Sequence, residues 1–219
     1  MIKCLFMPTS TMWRFSAETR GVVRDICNSA DPELHGLLEG LPKYVQVIVK
    51  PGKRVLPNTG EMGSAVIPHC VVWTVDGSRP GGVAEVAKRQ LRSTLFHEFH
   101  HLARGWVKSN YMPGTPLIHA ATCEGLATAF ERDFGGRHAP WADYPSDVAS
   151  WVEELMHLPL TASYRNWMFQ HPDGRRWIGY RAGTFIVDRA IASSGQSSAD
   201  LVRTPTSEIL RMAGFILSE

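Results

Sequence analysis

The stretch LFHEFHHLARG, residues 95–105, carries the strongest structural signal in this sequence. It lies in a segment that contains no glycine or proline before Gly105, so we predict one long helix over residues 83–106. Successive residues of an α-helix turn by about 100°, and His97 and His101 therefore project from one face, one turn apart. Two neutral imidazoles at this spacing can bind one zinc ion through bonds of about 2.0–2.1 Å.

The remaining residues of this stretch are distributed around the helix. Glu98 lies beside the histidine face, where its carboxylate can reach a water on the metal and act as a general base. His100 lies on the other flank, and because three ligands so close in sequence would strain a helical backbone, we expect it to support the site or to pack. The opposite face is apolar and is expected to face the core; it comprises Leu95, Phe96, Phe99, Leu102 and Ala103.

Composition and charge argue against several classes of protein. The 219 residues suit one domain, 1–219, with N-terminal helices and strands in 1–82 and a mostly helical part in 83–219. A net charge of +2 without a basic run argues against nucleic-acid binding. The four cysteines form no CxxC pair, which argues against a zinc ribbon and a disulfide scaffold. Because no stretch approaches the roughly 20 apolar residues of a membrane span and the N-terminus does not resemble a secretory signal, we expect a cytoplasmic protein without a membrane partner.

The order of the predicted elements, strands before most helices, indicates an α+β fold. Strands are predicted over residues 44–50 and 65–77, and Pro68 makes the second an edge strand or a bulged one. Ser16 and Thr204 are expected to cap the first and the last helix. Besides the long helix, the patterns predict helices over residues 16–28, 31–40, 117–133, 145–158, 183–194 and 205–215.

A third zinc ligand has to come from beyond the helix predicted over residues 83–106. A catalytic zinc site usually takes three protein ligands, and the long HExxHxxGxxH pattern fails because Arg104 occupies its glycine position. The candidates near the helix over 117–133 are His119, Cys123 and Glu124. Small side chains surround Glu124 and let another helix approach closely, whereas His119 falls almost opposite and Cys123 suits a small buried position. We therefore predict Glu124 as the third ligand.

Three motifs carry a resemblance to known metallopeptidases. Glu124 followed by Gly-Leu-Ala looks like the gluzincin arrangement, in which a glutamate on the next helix completes the zinc site. Together with LFHEFHHLAR at 95–104 and WIGYRAGTFIVDRAI at 177–191, residues 60–215 resemble the YjaZ-like family of predicted zinc-dependent proteases. The resemblance implies a zincin-like fold and metallopeptidase activity. From the residues themselves we expect one zinc ion per chain and assign no residues to another cofactor. Thr128 stands where thermolysin-like enzymes have an aspartate that supports a zinc histidine, so another residue must orient the imidazoles.

The expected reaction is hydrolysis of a peptide or protein substrate. Glu98 would take a proton from water and pass it to the leaving amine, and Tyr180 is the oxyanion donor by analogy with gluzincins, with Arg181 and His171 as alternatives. An extended peptide would pair with the edge strand within 63–75. The alternatives are a zinc hydrolase of a non-peptide amide and a non-catalytic zinc domain; Glu98 argues against the latter, because a structural site needs no base.

Overall fold

The computed structural model describes residues 1–8, 14–112 and 114–216. The chain divides into two compact units, Met1–Asn110 and Tyr111–Glu219. The single domain expected over residues 1–219 stays a prediction.

In the described part of the first unit, five strands form a small mixed sheet. The strands are β1 (Ile2–Phe6), β2 (Val45–Pro51), β3 (Glu61–Met62), β4 (Ala65–Ile67) and β5 (Cys70–Val75). They follow the order β1-β2-β5-β3, and β4 also pairs with β5. The pairs β1–β2 and β2–β5 are parallel, whereas β3 and β4 run antiparallel to β5.

The two predicted strands correspond to three strands in the structure. In β2 the alternation is confirmed, since Val45, Val47 and Val49 are fully buried. The strand predicted over residues 65–77 is instead a hairpin, in which a turn at Pro68 separates β4 from β5. A proline has no backbone N–H to continue a ladder, so β4 ends before it and remains an edge strand. Strands β1 and β3 were not predicted.

Helix α1, Ala17–Leu37, corrects the prediction of two helices over 16–28 and 31–40. Ser16 caps it as predicted, because its hydroxyl accepts a hydrogen bond from the Thr19 N–H. The helix continues through Pro32, at the cost of one backbone hydrogen bond. The residues buried along one side of the helix, on both sides of the proline, are Val23, Cys27, Ala30 and Leu34, and this continuous apolar stripe explains why the helix does not break.

The predicted long helix over 83–106 is present and has three parts. Helix α2 (Gly82–Val86) leads through one π-helical turn over 87–91 into α3 (Arg92–Arg104). Gly105 ends it with φ 79°, a left-handed conformation that glycine adopts readily. The predicted apolar face is buried, as expected, and the opposite face with His97, Glu98 and His101 is buried as well, because every residue from Leu95 to Ala103 is buried. Within this unit, α3 contacts α1 as well as β4 and β5, so helical periodicity alone underestimated its burial.

The second unit is helical. Its helices are α4 (Leu117–Phe134), α5 (Val148–Met156), α6 (Tyr164–Met168), α7 (Ile178–Ser194) and α8 (Thr206–Met212). Helices α4 and α5 lie where they were predicted. Helix α7 begins at Ile178 rather than at residue 183, and Pro205 rather than Thr204 occupies the N-cap position of α8. Helix α6 was not predicted.

Glycines within α7 explain why its first turns were missed. Glycine lowers helix propensity by about 1 kcal/mol relative to alanine, so the sequence GYRAG does not predict a helix. In the structure, a Cβ on Gly179 would overlap the side chain of Met168, and a Cβ on Gly183 would overlap the carbonyl of Ala121 in α4. Close packing therefore explains why glycine occupies these two positions in spite of its low helix propensity.

The observed class is α+β, as predicted, with a small mixed sheet and a helical C-terminal part. Within the described residues, none of the helices combines the length and the apolar character that crossing a bilayer requires.

Candidate metal centre

Helix α3 directs two imidazoles at one point. The Nε2 atoms of His97 and His101 lie 3.1 Å apart, and the two rings meet edge to face at an interplanar angle of 79°. Both side chains are almost fully buried. Two ligand atoms one helical turn apart thus converge, as the sequence spacing predicted.

Glu124 completes a group of three possible metal ligands. His97, His101 and Glu124 each offer one ligand atom, and these atoms all lie within 4.8 Å of one another. Zinc bonds of about 2.0–2.1 Å at tetrahedral angles separate neighbouring ligand atoms by about 3.3 Å, close to the observed distance between the two imidazole nitrogens. These are the three residues predicted to bind metal, and their role as ligands stays a prediction. His100 is fully buried and is not one of them.

The carboxylate of Glu98 is held by the edge strand. The backbone N–H of Ala65 in β4 donates a hydrogen bond of 2.6 Å to Glu98 Oε2. This N–H points away from β5, because the preceding carbonyl, that of Ser64, accepts a hydrogen bond from Val72 in β5. Glu98 itself is only 8% exposed. An edge strand beside the helix that bears Glu98 was predicted; the hydrogen bond between them was not.

A second buried carboxylate, Glu61, lies near this region and was missed by the sequence reasoning. It is 3% exposed, and its Oε2 accepts hydrogen bonds of 2.9 Å from the Trp73 indole and from the Thr94 hydroxyl. Thr94 precedes Glu98 by one turn of α3. No sequence signal marks Glu61, since it lies in a segment rich in glycine and proline for which no helix or strand was predicted.

The position of Glu124 depends on a close crossing of two helices. Helices α4 and α7 meet at Gly125 and Gly183, where a Cβ on Gly125 would overlap the carbonyl group of Gly183. The backbones themselves are therefore in contact at the residue that follows Glu124. Close approach of another helix was expected from the small residues of this segment, and α7 makes such an approach.

The two rival ligand candidates have partners in the second unit. His119 Nδ1 shares a hydrogen bond of 2.7 Å with the Thr206 hydroxyl, and its Nε2 lies 3.6 Å from Cys123 Sγ. Cys123 is buried, as expected for a small core residue. These contacts agree with packing roles for both.

Tyr180 lies among aromatic rings on α7. Its ring packs against Trp141, Phe169 and Trp177, with centroid distances of 6.2, 6.2 and 5.7 Å. Its role as the oxyanion donor stays a prediction, as do the alternatives. Of these, Arg181 follows it on α7, and His171 pairs with Asp173 at 2.8 Å.

Another tyrosine, Tyr164, lies close enough to Glu124 to be influenced by its charge. Burial raises the pKa of the Tyr164 phenol, and the negative charge of Glu124 raises it further. The ring of Tyr111 packs edge to face against it at 5.6 Å. This hydroxyl was missed, because the short helix α6 that carries it has no periodic signal in the sequence.

Comparison with known proteins gives a match to a family model. No curated protein matches this chain. A family model described as "Predicted Zn-dependent protease (DUF2268)" matches residues 23–211, a range that includes His97, Glu98, His101 and Glu124. This match confirms the resemblance based on the three sequence motifs and covers most of the chain. The chain therefore belongs to the family of predicted Zn-dependent proteases.

Proposed function

We propose that this chain is a zinc metallopeptidase of the gluzincin type with a zincin-like fold, in which Glu98 is the general base. The observation that carries the proposal is that His97, His101 and Glu124 form a group that could hold a metal ion, in a member of a family described as predicted Zn-dependent proteases. Glu98 directly follows one of these ligands in sequence, as the base does in HExxH enzymes.

The donor set fits one zinc ion. Two imidazoles and one carboxylate leave a fourth position of a tetrahedral site open, which distinguishes catalytic from structural zinc sites. When bound, zinc would supply a Lewis acid that lowers the pKa of a coordinated water and polarises a carbonyl. His97, His101 and Glu124 would hold it. Magnesium and calcium prefer sites built from oxygen ligands, so the two imidazoles disfavour both.

Glu98 would move the proton. Its Oε2 is held by the Ala65 N–H, which leaves Oε1 to accept a proton from the attacking water and to deliver it to the leaving amine. A fixed and buried carboxylate suits this role, because general-base catalysis requires hydrogen-bond reach in the reactive complex. Tyr180, with Arg181 and His171 as alternatives, would donate a hydrogen bond to the developing oxyanion.

The substrate would be a peptide in extended conformation. Among the strands that the structure describes, β4 pairs with β5 alone, and the Ala65 N–H on its other side donates to Glu98. An extended peptide can add to such an edge by main-chain hydrogen bonds, which bind it largely independently of its side chains.

The proposal is tested with the purified chain and a library of quenched fluorescent peptides. We expect peptide cleavage that a chelator abolishes and zinc restores, and that His97→Ala abolishes. His157→Ala is the matched control, because His157 is exposed and its Nδ1 lies 2.7 Å from the Glu153 carbonyl in its own helix end. A zinc-loaded chain that cleaves other amides but no peptide would be a different hydrolase. One that binds zinc and cleaves nothing would be a non-catalytic zinc domain.

A further inference from the structure

The segment Glu61–Ala65 runs from the start of β3 to the start of β4. Its alternate residues, Glu61, Gly63 and Ala65, contact α3. Glu61 accepts a hydrogen bond from Thr94, Gly63 packs against Thr94 and Glu98, and Ala65 donates to Glu98. Alternate residues of an extended chain share one side, and residues four apart share one face of a helix. One side of this segment therefore follows the face of α3 that carries Glu98.

Gly63 is required at its position by space. A Cβ there would lie 2.5 Å from Thr94 Cγ2 and 2.7 Å from both Cγ and Oε1 of Glu98. Its φ is not in the left-handed region, so the backbone would tolerate alanine and only the contacts exclude it. Any larger residue would displace Thr94 or the Glu98 side chain.

Glu61 connects the sheet to the same helical turn. Its carboxylate is buried and accepts one hydrogen bond from Trp73 in β5 and one from Thr94 in α3. Burying a carboxylate is costly unless it is hydrogen-bonded, and hydrogen bonds to a charged acceptor are about twice as strong as neutral ones. The Thr94 hydroxyl is thereby fixed, and its methyl group bounds the space beside Gly63.

From these contacts we infer that Glu61 and Gly63, with the Ala65 N–H, form a positioning element that sets the place of the Glu98 carboxylate. This inference rests on the proposed function of Glu98 as the base. A glutamate has three side-chain torsions and would otherwise sample several rotamers. The segment limits it from two directions: the N–H binds Oε2, and the missing Cβ of Gly63 leaves room for Oε1.

The first test is Gly63→Ala, with Gly52→Ala as a matched control. A Cβ on Gly52 would also clash, at 2.8 Å from Thr74 Cγ2, but in contact with β5 rather than with Glu98. We expect Gly63→Ala to lower kcat by about 10- to 100-fold with little change in KM and an unchanged zinc content, because misplacement by about 1 Å costs up to about 10²-fold. Gly52→Ala should leave kcat near the wild-type value. Crystal structures should show the Glu98 carboxylate displaced only in the first variant.

Thr94 provides a second test that adds no atom to Gly63. Thr94→Val removes the hydroxyl that binds Glu61 and should lower kcat, whereas Thr94→Ser keeps the hydroxyl and should retain more activity. The inference is overturned if Gly63→Ala and Thr94→Val both keep the wild-type kcat, or if kcat falls while Glu98 stays in place. If the zinc-loaded wild type cleaves no peptide, the proposed function fails, and the crystal structures alone then decide whether the segment positions Glu98.

Discussion

Replacing Gly125 with alanine tests the helix crossing beside Glu124. On helix propensity alone, the change would stabilise α4 by about 1 kcal/mol. The new Cβ, however, would overlap the backbone carbonyl of Gly183, far inside the usual carbon–carbon contact of about 3.5–4.0 Å. Because backbone atoms cannot rotate away as a side chain can, α4 and α7 must separate.

The magnitude follows from the cost of overpacking. Adding one carbon to a packed interior costs about 1–3 kcal/mol, and a backbone clash belongs at the upper end of that range. After subtraction of the propensity gain, we expect a net loss of about 2 kcal/mol. In a protein of this size, that corresponds to a fall in Tm of about 4–8 °C.

The assay is thermal unfolding followed by circular dichroism, with Gly21→Ala as the control. Gly21 lies in α1, and a Cβ there would meet nothing within 4 Å, so this variant should be unchanged or slightly more stable. Gly125→Ala should also bind zinc more weakly, since it displaces the turn that carries Glu124. A Gly125→Ala protein as stable as Gly21→Ala would refute the close crossing.

Three further predictions concern the metal, the oxyanion and pH. Glu124→Ala should weaken zinc binding by more than the roughly 10- to 100-fold that loss of a supporting residue costs, as measured by competition with a chromogenic chelator. Tyr180→Phe should lower kcat by about 10²-fold or more if it is the oxyanion donor, and the same loss in Tyr164→Phe instead would transfer that role to Tyr164. Hydrogen bonds from Ser78 hold the pKa of Asp76 at about 2, below its usual 3.8, so its stabilisation is present above pH 4 and is lost as the pH falls towards 2. Asp76→Asn should therefore flatten the dependence of Tm on pH in that window. An unchanged slope would show that Asp76 is not the source of this pH dependence.

Local periodicity was sufficient to predict the part of the site that lies on one helix. His97 and His101 are one turn apart in any α-helix, so their convergence depends on no distant residue. The alternation of β2 and the cap at Ser16 were predictable for the same reason, because each depends on residues close in sequence.

The parts that were not predicted depend on residues far apart in sequence. The hydrogen bond from Ala65 to Glu98 joins residues 33 positions apart, and that from Trp73 to Glu61 joins two strands whose pairing the sequence does not specify. Helix α7 was predicted too short because its glycines lower helix propensity, whereas Gly179 and Gly183 allow close contacts with α6 and α4. Tertiary packing also keeps α1 intact through Pro32.

The most direct test of the central claim is the rate of peptide hydrolysis by zinc-loaded Glu98→Gln, compared with wild type and with Glu39→Gln, which changes an exposed glutamate. The substitution keeps the size of the side chain and removes its ability to accept a proton. We predict one zinc ion per chain in all three proteins and a loss of at least about 10²-fold in kcat for Glu98→Gln alone. Hydrolysis by Glu98→Gln at the wild-type rate, with zinc bound, would contradict the assignment of Glu98 as the base.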